Sequence, residues 1–276
     1  MKYGITNPIV ITTCVASSLI IRDITENCLV YYCADEYSFI SGLDRELVSR
    51  LEKQLLSTVD VVFAVSKALV KSKSVYHPLV KYLPHGVDVE LFSRAVADDV
   101  SRPEDLPKEY RKIIGFIGLL GEHIDYSVID HLARQFNDCA VILVGNREHG
   151  VVLPDRDNVF HLGPRARKVL PNYLAFFDVC INPYLVNERN KYANPTKLKE
   201  YLAAGRMVVM TPHDEIDEVR GRIEFATTPD EFEKKIRALL KVDKDSVKKT
   251  ISSTMKQHSW KARASWMIEE ISHCQR

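Results

Sequence analysis

Two residues with complementary chemistry stand three positions apart in this sequence, Lys197 and Glu200. They fall in a stretch that begins with Asn194 and Pro195 and ends with Gly205. Asparagine is a favourable N-cap, proline suits the first helical position, and glycine suits the residue that ends a helix, so we predict a helix here. Lys197 and Glu200 would then lie on nearly the same face, close to the start of the helix.

The start of this predicted helix suits a negatively charged ligand. The first amides, those of Asn194, Thr196 and Lys197, lack intrahelical partners and lie at the positive end of the helix dipole. Lys197 adds a full positive charge, and Glu200 can accept hydrogen bonds from two sugar hydroxyls. Together these groups suit a nucleotide that carries a diphosphate. On spacing alone, an ordinary amphipathic helix with an exposed charge pair is the favoured alternative.

The second half of the chain contains the elements that would position this helix. Short apolar runs alternate there with helical patterns, and we predict strands at 113–118, 139–144, 158–162, 178–183, 207–210 and 223–226. Near-continuous apolar strands joined by helices predict an α/β fold with a parallel sheet covered on both faces. Because ligands of such sheets bind beyond the carboxyl ends of the strands, the loops there should meet the start of the predicted helix.

The first half shows the same alternation in fewer units. We predict strands at 9–15, 28–33, 61–65 and 80–83, with helices at 43–56 and 67–73. The segment 95–107 is rich in Asp, Glu, Pro and Ser and is predicted to be a linker. The predicted domains are therefore 1–95 and 108–250, followed by a C-terminal helical segment, 251–276.

Three further residues are candidates for the same ligand site. Gly118 and Gly121 follow the first strand of the second half and would let the backbone approach a diphosphate closely. Tight packing of a strand against a helix explains these glycines equally well. Arg165 follows the strand at 158–162 and could contact a base or a phosphate, although an exposed loop arginine is the commoner outcome.

Asp35 and Glu36 are candidate catalytic residues. They stand at the carboxyl end of the strand at 28–33, where a carboxylate can act as the general base that deprotonates a hydroxyl. Adjacent carboxylates in this position also commonly cap the next turn or helix, and the residues alone slightly favour that alternative.

Composition excludes several classes of function. The 276 residues include 38 Lys and Arg against 37 Asp and Glu, so a dedicated nucleic-acid binder is disfavoured. The six cysteines form no C-x-x-C pair, and no uninterrupted apolar run reaches the ~18 residues of a membrane span. We therefore expect a cytoplasmic protein. The locally basic stretch 234–261 fits a solvated helix face, with contact to an anionic membrane surface as the alternative.

The order of these motifs resembles that of GT-B-fold glycosyltransferases. The run Pro-Thr-Lys-Leu-Lys-Glu-Tyr-Leu-Ala-Ala-Gly at 195–205 is similar to the donor-binding helix of bacterial members, which often read Pro-x-Lys-Leu-x-Glu-Tyr-Leu-Ala-x-Gly. Further matching segments follow the family's order at 30–38, 52–66, 83–88, 114–125, 162–165, 178–183 and 259–263. The resemblance extends from about Ile9 to the C-terminus.

This resemblance implies two Rossmann-like, doubly wound parallel-sheet domains. The second would bind a nucleotide-sugar, and the tail would pack back toward the first, acceptor-side domain. Family members usually begin with additional β-α units, so the first domain is expected to be incomplete. That departure suggests a truncated protein or one that needs a partner chain, and it affects catalysis more than donor binding.

The implied activity is that of a glycosyltransferase of the bacterial surface-polysaccharide type. The donor would be a UDP-hexose or UDP-hexuronate, and the acceptor a glycan or a lipid-linked saccharide. Lys197 and the helix amides would stabilise the leaving diphosphate, so no metal or other cofactor is expected. Many retaining members carry two glutamates eight positions apart, but Tyr192 occupies the first of these positions here, so the anomeric outcome stays unassigned.

Two alternatives remain at this stage. The first is a truncated, non-catalytic nucleotide-sugar-binding protein or accessory subunit. The second is a sugar-nucleotide epimerase of the same architecture, which the absence of the expected histidine and acidic residues in the second half disfavours.

Overall fold

The computed structural model describes residues 8–21, 28–40, 42–188, 190–213 and 223–273. The chain divides into two compact units. The first contains the described residues of 1–85, 187–194 and 260–276, and the second contains those of 86–186 and 195–259.

The first unit is built on a four-stranded sheet with the order β1-β2-β3-β4. All three strand pairings are parallel. Asp44 caps the first helix by accepting a hydrogen bond from an amide of its first turn, and Ser66 does the same for the second. The elements are β1 (Ile9–Thr12), β2 (Cys28–Cys33), α1 (Arg45–Leu56), β3 (Val61–Ala64), α2 (Lys67–Lys73) and β4 (Val80–Tyr82).

The second unit is built on a six-stranded parallel sheet. Its elements are α3 (Val89–Phe92), β5 (Lys112–Ile117), α4 (Tyr126–Gln135), β6 (Cys139–Val144), β7 (Val159–Gly163), α5 (Leu170–Phe176), β8 (Val179–Asn182), α6 (Thr196–Ala203), β9 (Met207–Met210), β10 (Ile223–Phe225), α7 (Pro229–Leu239) and α8 (Lys244–Ser253).

The strand order of this sheet is β10-β9-β8-β5-β6-β7. The chain runs outward from β5 through β6 to β7, then returns to place β8 on the other side of β5. A sheet with this topology opens a crevice at the carboxyl ends of the two strands where the winding direction reverses. Here those strands are β5 and β8, and α6 follows β8 directly in the order of elements, apart from a short 3₁₀ turn.

Apolar side chains cover both faces of this sheet, as predicted. One face packs against a cluster that includes residues of α5, α6 and α8. The other face packs against α4 and α7. The last helix, α9 (Trp260–Ser272), belongs to the first unit. No described helix is long and apolar enough to cross a membrane.

A helix lies where the segment 194–205 predicts one, but the prediction of its cap is wrong. Helix α6 begins at Thr196, and its N-cap is Pro195, which is extended and makes no side-chain hydrogen bond to the helix start. Asn194 therefore stands one residue too early to cap it. At the other end Gly205 has a φ of +71°, the left-handed conformation predicted for it. A Cβ at Gly205 would lie 2.5 Å from the carbonyl oxygen of Lys248.

The segment 95–107 is not a linker, because it packs within the second unit. Ala95 and Leu106 are almost fully buried, and Asp98 accepts a hydrogen bond of 2.9 Å from the Lys248 ammonium. The segment is mostly polar, but a few apolar residues within it pack into the core and hold it there.

Candidate functional site

The loops at the carboxyl ends of β5 and β6 are hydrogen-bonded to each other. The amide of Gly118 donates to the carbonyl of Val144 at 2.8 Å, and the amide of Leu120 donates to the carbonyl of Asn146 at 2.8 Å. The loop after β5 also meets the one after β8, because the Asp125 amide donates to the Pro183 carbonyl at 2.8 Å. The three loops thus form one continuous surface at the predicted edge of the sheet.

Glycines let these loops approach closely. A Cβ at Gly145 would overlap the carbonyl oxygen of Gly118. A Cβ at Gly118, whose φ is +153°, would lie 2.5 Å from Lys197 Nζ. Gly121 packs against the carboxylate of Glu148, which a Cβ would overlap. Close packing therefore accounts for all three glycines, and Gly118 in addition makes room for the lysine.

Helix α6 is held to the end of β5 by Tyr201. Its buried hydroxyl accepts a hydrogen bond of 2.8 Å from the Ile117 amide and donates one of 3.1 Å to the Ile117 carbonyl. Because Lys197 stands one turn earlier on the same helix, this attachment places its side chain beside Gly118.

The ammonium of Lys197 lies among aromatic rings. Its Nζ is 4.4 Å from the ring centroid of Phe116 and 4.9 Å from that of Tyr184. Within the described part of the chain, it makes no ion pair with a carboxylate. Burial lowers the pKa of Lys197 to about 7, although nearby Glu200 opposes the shift. The Lys197 amine thus has hydrogen-bonding capacity for an anionic ligand, and such a ligand would favour its charged form.

Glu200 lies one turn further along α6 and is 8% exposed. One of its oxygens, Oε1, is 2.7 Å from a guanidinium nitrogen of Arg167. Burial raises the pKa of the Glu200 carboxyl, while Arg167 and Lys197 oppose this effect. The start of α6 therefore presents a cation and a mostly buried carboxylate on one face.

A small cavity of about 240 Å³ opens beside these groups. Its walls come from the loops after β5, β6 and β7, and they are formed by Ile117, Gly118, Leu119, Val144, Gly145, Asn146, Pro164, Arg165 and Leu170. Arg165 is anchored at this edge, because its guanidinium lies 2.5 Å from the Asp105 carboxylate and 2.8 Å from the Tyr173 hydroxyl.

Much of the second unit matches a known protein family. Residues 111–242 match the family model described as "Glycosyl transferases group 1". We call residues 111–242 the group 1 domain, after the family model that they match. This domain contains Gly118, Gly121 and Arg165, together with Lys197 and Glu200 of α6.

A similar sequence is the putative teichuronic acid biosynthesis glycosyltransferase TuaH of Bacillus subtilis (strain 168). It is 28% identical over 202 residues, which make up 66% of this chain and 50% of TuaH. The chain thus spans about half the length of this curated relative.

Two solved structures share the fold of the group 1 domain and of the first unit. Sucrose-phosphate synthase of Thermosynechococcus elongatus matches with a TM-score of 0.71 and 17% identity, over 99% of this chain and 74% of that one. HepE of Anabaena, solved in complex with UDP and glucose, matches with a TM-score of 0.72 and 15% identity, over 96% of this chain and 77% of that one. The protein therefore has the GT-B-like fold predicted for it.

The two candidate catalytic residues lie outside the group 1 domain, at the carboxyl end of β2 in the first unit. Glu36 is buried and accepts a hydrogen bond of 2.7 Å from the Lys73 ammonium, which also bonds Glu52 at 2.7 Å. Burial alone would lower the pKa of Lys73, but the two carboxylates raise it overall. Asp35 is partly exposed, and its Oδ1 accepts a hydrogen bond from the Glu36 amide. Of the two carboxylates, Asp35 is the one that a ligand could reach.

One group of candidate metal ligands occurs among the described residues, and it is not at this site. His131 on α4 lies 2.9 Å from Glu233 and 3.5 Å from Asp230, both on α7 of the group 1 domain. Arg237 pairs with the same Glu233 carboxylate at 2.9 Å, so the charge of that carboxylate is already balanced.

Sequence reasoning missed three features of the site. The apolar period of α6 places Tyr201 in the core, but does not show that its hydroxyl anchors the helix to β5. The aromatic rings around Lys197 come from Phe116 and Tyr184, which are remote in sequence. Arg167 carried no motif, and only its contact with Glu200 reveals it.

Proposed function

We propose that this protein is a glycosyltransferase that uses a nucleotide-diphosphate sugar, with UDP-hexose or UDP-hexuronate as the donor. The observation that carries this proposal is the start of α6, where Lys197 meets no carboxylate partner among the described residues and Glu200 stands on the same face. Support comes from the group 1 family match and from the UDP bound in the structure of HepE. The name of TuaH supports an acceptor in surface-polysaccharide synthesis.

The donor's diphosphate would bind at the start of α6. Because no side chain caps the helix there, the amides of Thr196 and Lys197 can point at phosphate oxygens. The Lys197 ammonium supplies the charge, and Glu200 accepts hydrogen bonds from hydroxyls of the nucleotide. The cavity beside Gly118 and Arg165 is the proposed site of the base of the nucleoside.

In the proposed reaction, the bond between the anomeric carbon of the sugar and the diphosphate oxygen breaks, and its electron pair leaves with the diphosphate. The oxygen of an acceptor hydroxyl forms the new bond to that carbon, and its proton passes to a base. Lys197 and the helix amides stabilise the charge that develops on the leaving group, which requires no metal. Asp35 is the proposed base if the reaction inverts the configuration.

Calorimetric titration with UDP tests the donor site without an acceptor. We expect UDP to bind the parent protein and to bind Lys197→Ala and Glu200→Ala more weakly by about 1–3 kcal/mol each, the range for losing a charge-assisted hydrogen bond. Lys234→Ala, an exposed lysine on α7, is the matched control and should bind like the parent. A folded parent that does not bind UDP would contradict the proposal.

Release of UDP from a UDP-hexose, measured with and without a candidate acceptor saccharide, tests turnover separately. The enzyme should release UDP faster when the acceptor is present. Tight UDP binding with no turnover for any UDP-hexose or UDP-hexuronate would instead favour a non-catalytic binding protein.

A further inference from the structure

Arg167 contacts the proposed donor site although it belongs to no motif. It stands in the 3₁₀ turn Arg167–Val169, between β7 and α5. Its guanidinium reaches Glu200 Oε1 at 2.7 Å and lies 5.1 Å from the ring centroid of Phe92. Phe92 is fully buried at the end of α3, so the ring offers the guanidinium a fixed surface. The Arg167 guanidinium thus pairs with a carboxylate at its edge and packs over an aromatic ring with its planar face.

The Glu200 carboxylate needs a positive partner, since burial disfavours its charged form. Among the described charged groups, Arg167 and Lys197 favour the ionised carboxylate, whereas Asp88 disfavours it. Lys197 is also the group proposed to bind phosphate, so Glu200 would share it with the ligand. Arg167 has no such second role in the proposed site.

Among the described residues, only one oxygen of Glu200 has a side-chain partner. Arg167 bonds Oε1, and Oε2 accepts no hydrogen bond from any residue that the structure describes. An ionised carboxylate has two acceptor oxygens, so the second one remains for ligand hydroxyls.

We propose that Arg167 is a positioning residue that holds Glu200 by one oxygen and so presents the other to the ribose hydroxyls of the bound nucleotide. The inference rests on the proposed function, and it adds a specific consequence. The site should distinguish ribonucleotides from nucleotides that lack the 2′- and 3′-hydroxyls, and that discrimination should depend on Arg167.

A simpler role for the contact between Arg167 and Glu200 predicts the opposite change in nucleotide affinity. If Arg167 merely covers Glu200 in the empty site and must be displaced by the ligand, then its removal would strengthen nucleotide binding. A purely structural role would weaken binding of every nucleotide alike, because it would act through the shape of the site as a whole.

The test compares UDP with 2′,3′-dideoxyuridine diphosphate in titrations of the parent protein and of Arg167→Ala and Arg167→Lys. We expect Arg167→Ala to weaken UDP binding about tenfold, the effect of impairing one charge-assisted hydrogen bond, and to change dideoxy-UDP binding less than twofold. Arg167→Lys should restore part of the UDP affinity, because it keeps the charge but not the planar fork. Lys168→Ala, the exposed neighbour, serves as the matched control.

A double-mutant cycle shows whether Arg167 acts through Glu200. In a Glu200→Ala background, Arg167→Ala should cause no further loss of UDP affinity. Thermal melting of each variant checks that it is folded, and Arg167→Gln replaces Arg167→Ala if the latter does not fold.

Three results would overturn the inference while leaving the proposed function intact. They are stronger UDP binding by Arg167→Ala, equal weakening for UDP and dideoxy-UDP, and additive losses in the cycle. Failure of the folded parent to bind UDP at all would overturn the proposed function and this inference together.

Discussion

The hydroxyl of Tyr201 bonds both backbone groups of Ile117, accepting from its amide at 2.8 Å and donating to its carbonyl at 3.1 Å. Ile117 is the last residue of β5, and Tyr201 lies in the middle of α6. One buried side chain therefore fixes the distance between the end of the central strand and the helix that carries Lys197 and Glu200. The geometry of the proposed donor site depends on this contact.

Tyr201→Phe should weaken both the fold and the donor site. The substitution leaves the buried amide of Ile117 without its partner, which costs about 1–3 kcal/mol of unfolding free energy. Urea denaturation measures that loss, and UDP titration should show weaker binding at the same time. Tyr76→Phe, which removes a hydroxyl from a half-exposed tyrosine, should change neither. An unchanged UDP affinity in Tyr201→Phe would show that α6 is positioned without this contact.

UDP binding should depend on pH through Lys197. Burial lowers the pKa of this lysine to about 7, so in the free protein it loses its charge as the pH rises above that value. A bound diphosphate favours the charged form and raises the pKa, so binding between about pH 7 and 9 should take up a proton. The affinity for UDP should then fall as the pH rises through this range.

Calorimetry in two buffers of different ionisation enthalpy measures this proton uptake directly. The phosphates of UDP are almost fully ionised above about pH 7, so they contribute little to the change. Lys197→Arg keeps its charge throughout the range and should show a flatter pH profile with no uptake. A parent protein whose UDP affinity is constant from pH 7 to 9 would contradict the assigned role of Lys197.

Gly118→Ala should impair donor binding more than stability. A Cβ at this position would lie 2.5 Å from Lys197 Nζ, so the lysine must move away from its place between the rings. Gly150→Ala is the matched control, because Gly150 also has a positive φ, +84°, but a Cβ there would meet open space. Both variants should lose about 1 kcal/mol of unfolding free energy from backbone strain. Only Gly118→Ala should lose UDP affinity.

Asp35→Asn and Glu36→Gln should have different effects, although the two residues are adjacent. Glu36 shares the buried Lys73 ammonium with Glu52, so Glu36→Gln is expected to reduce the unfolding free energy by about 1–3 kcal/mol. If the reaction inverts the configuration, Asp35→Asn should abolish transfer to an acceptor. UDP affinity should be preserved in Asp35→Asn. Full transfer activity in that variant would exclude Asp35 as the base.

Lys73→Met tests the buried cluster itself. The substitution leaves Glu36 and Glu52 buried without their cation, which costs about 3–5 kcal/mol of unfolding free energy. Combining it with Glu36→Gln and Glu52→Gln removes the unpaired charges and should recover part of the loss. Chemical denaturation of the three proteins measures the difference, and a triple variant no more stable than Lys73→Met would contradict the ion-pair explanation.

Much of the fold is encoded in short stretches of sequence. The strands at Cys28–Cys33, Cys139–Val144 and Met207–Met210 have the bounds that their apolar runs predict. The left-handed Gly205 could be predicted for the same reason, since it follows the apolar pattern of a helix at the position that favours glycine. Such signals are local, because each depends on a few neighbouring residues and on the period of a helix or strand.

The candidate site was only partly readable from the sequence. Lys197 and Glu200 could be placed on one helix face from their spacing alone. The environment of each side chain could not be predicted from the sequence. Burial, ion pairing and the pKa of each group depend on residues that are distant in sequence. Phe116 contacts Lys197 from β5. Arg167 contacts Glu200 from the turn before α5.

Contacts between residues distant in sequence also explain where the structure differs from what the sequence predicts. Asn194 is a good N-cap by type, but the backbone at Pro195 starts the helix one residue later. The segment 95–107 has the composition of a linker, yet Leu106 finds a place in the core. Glu36 has the position of a candidate general base, and the structure shows it paired with the Lys73 ammonium. The sequence by itself determined the elements and their order, through local periodicity. Only the tertiary structure decided which polar groups are buried against partners and which remain for a ligand.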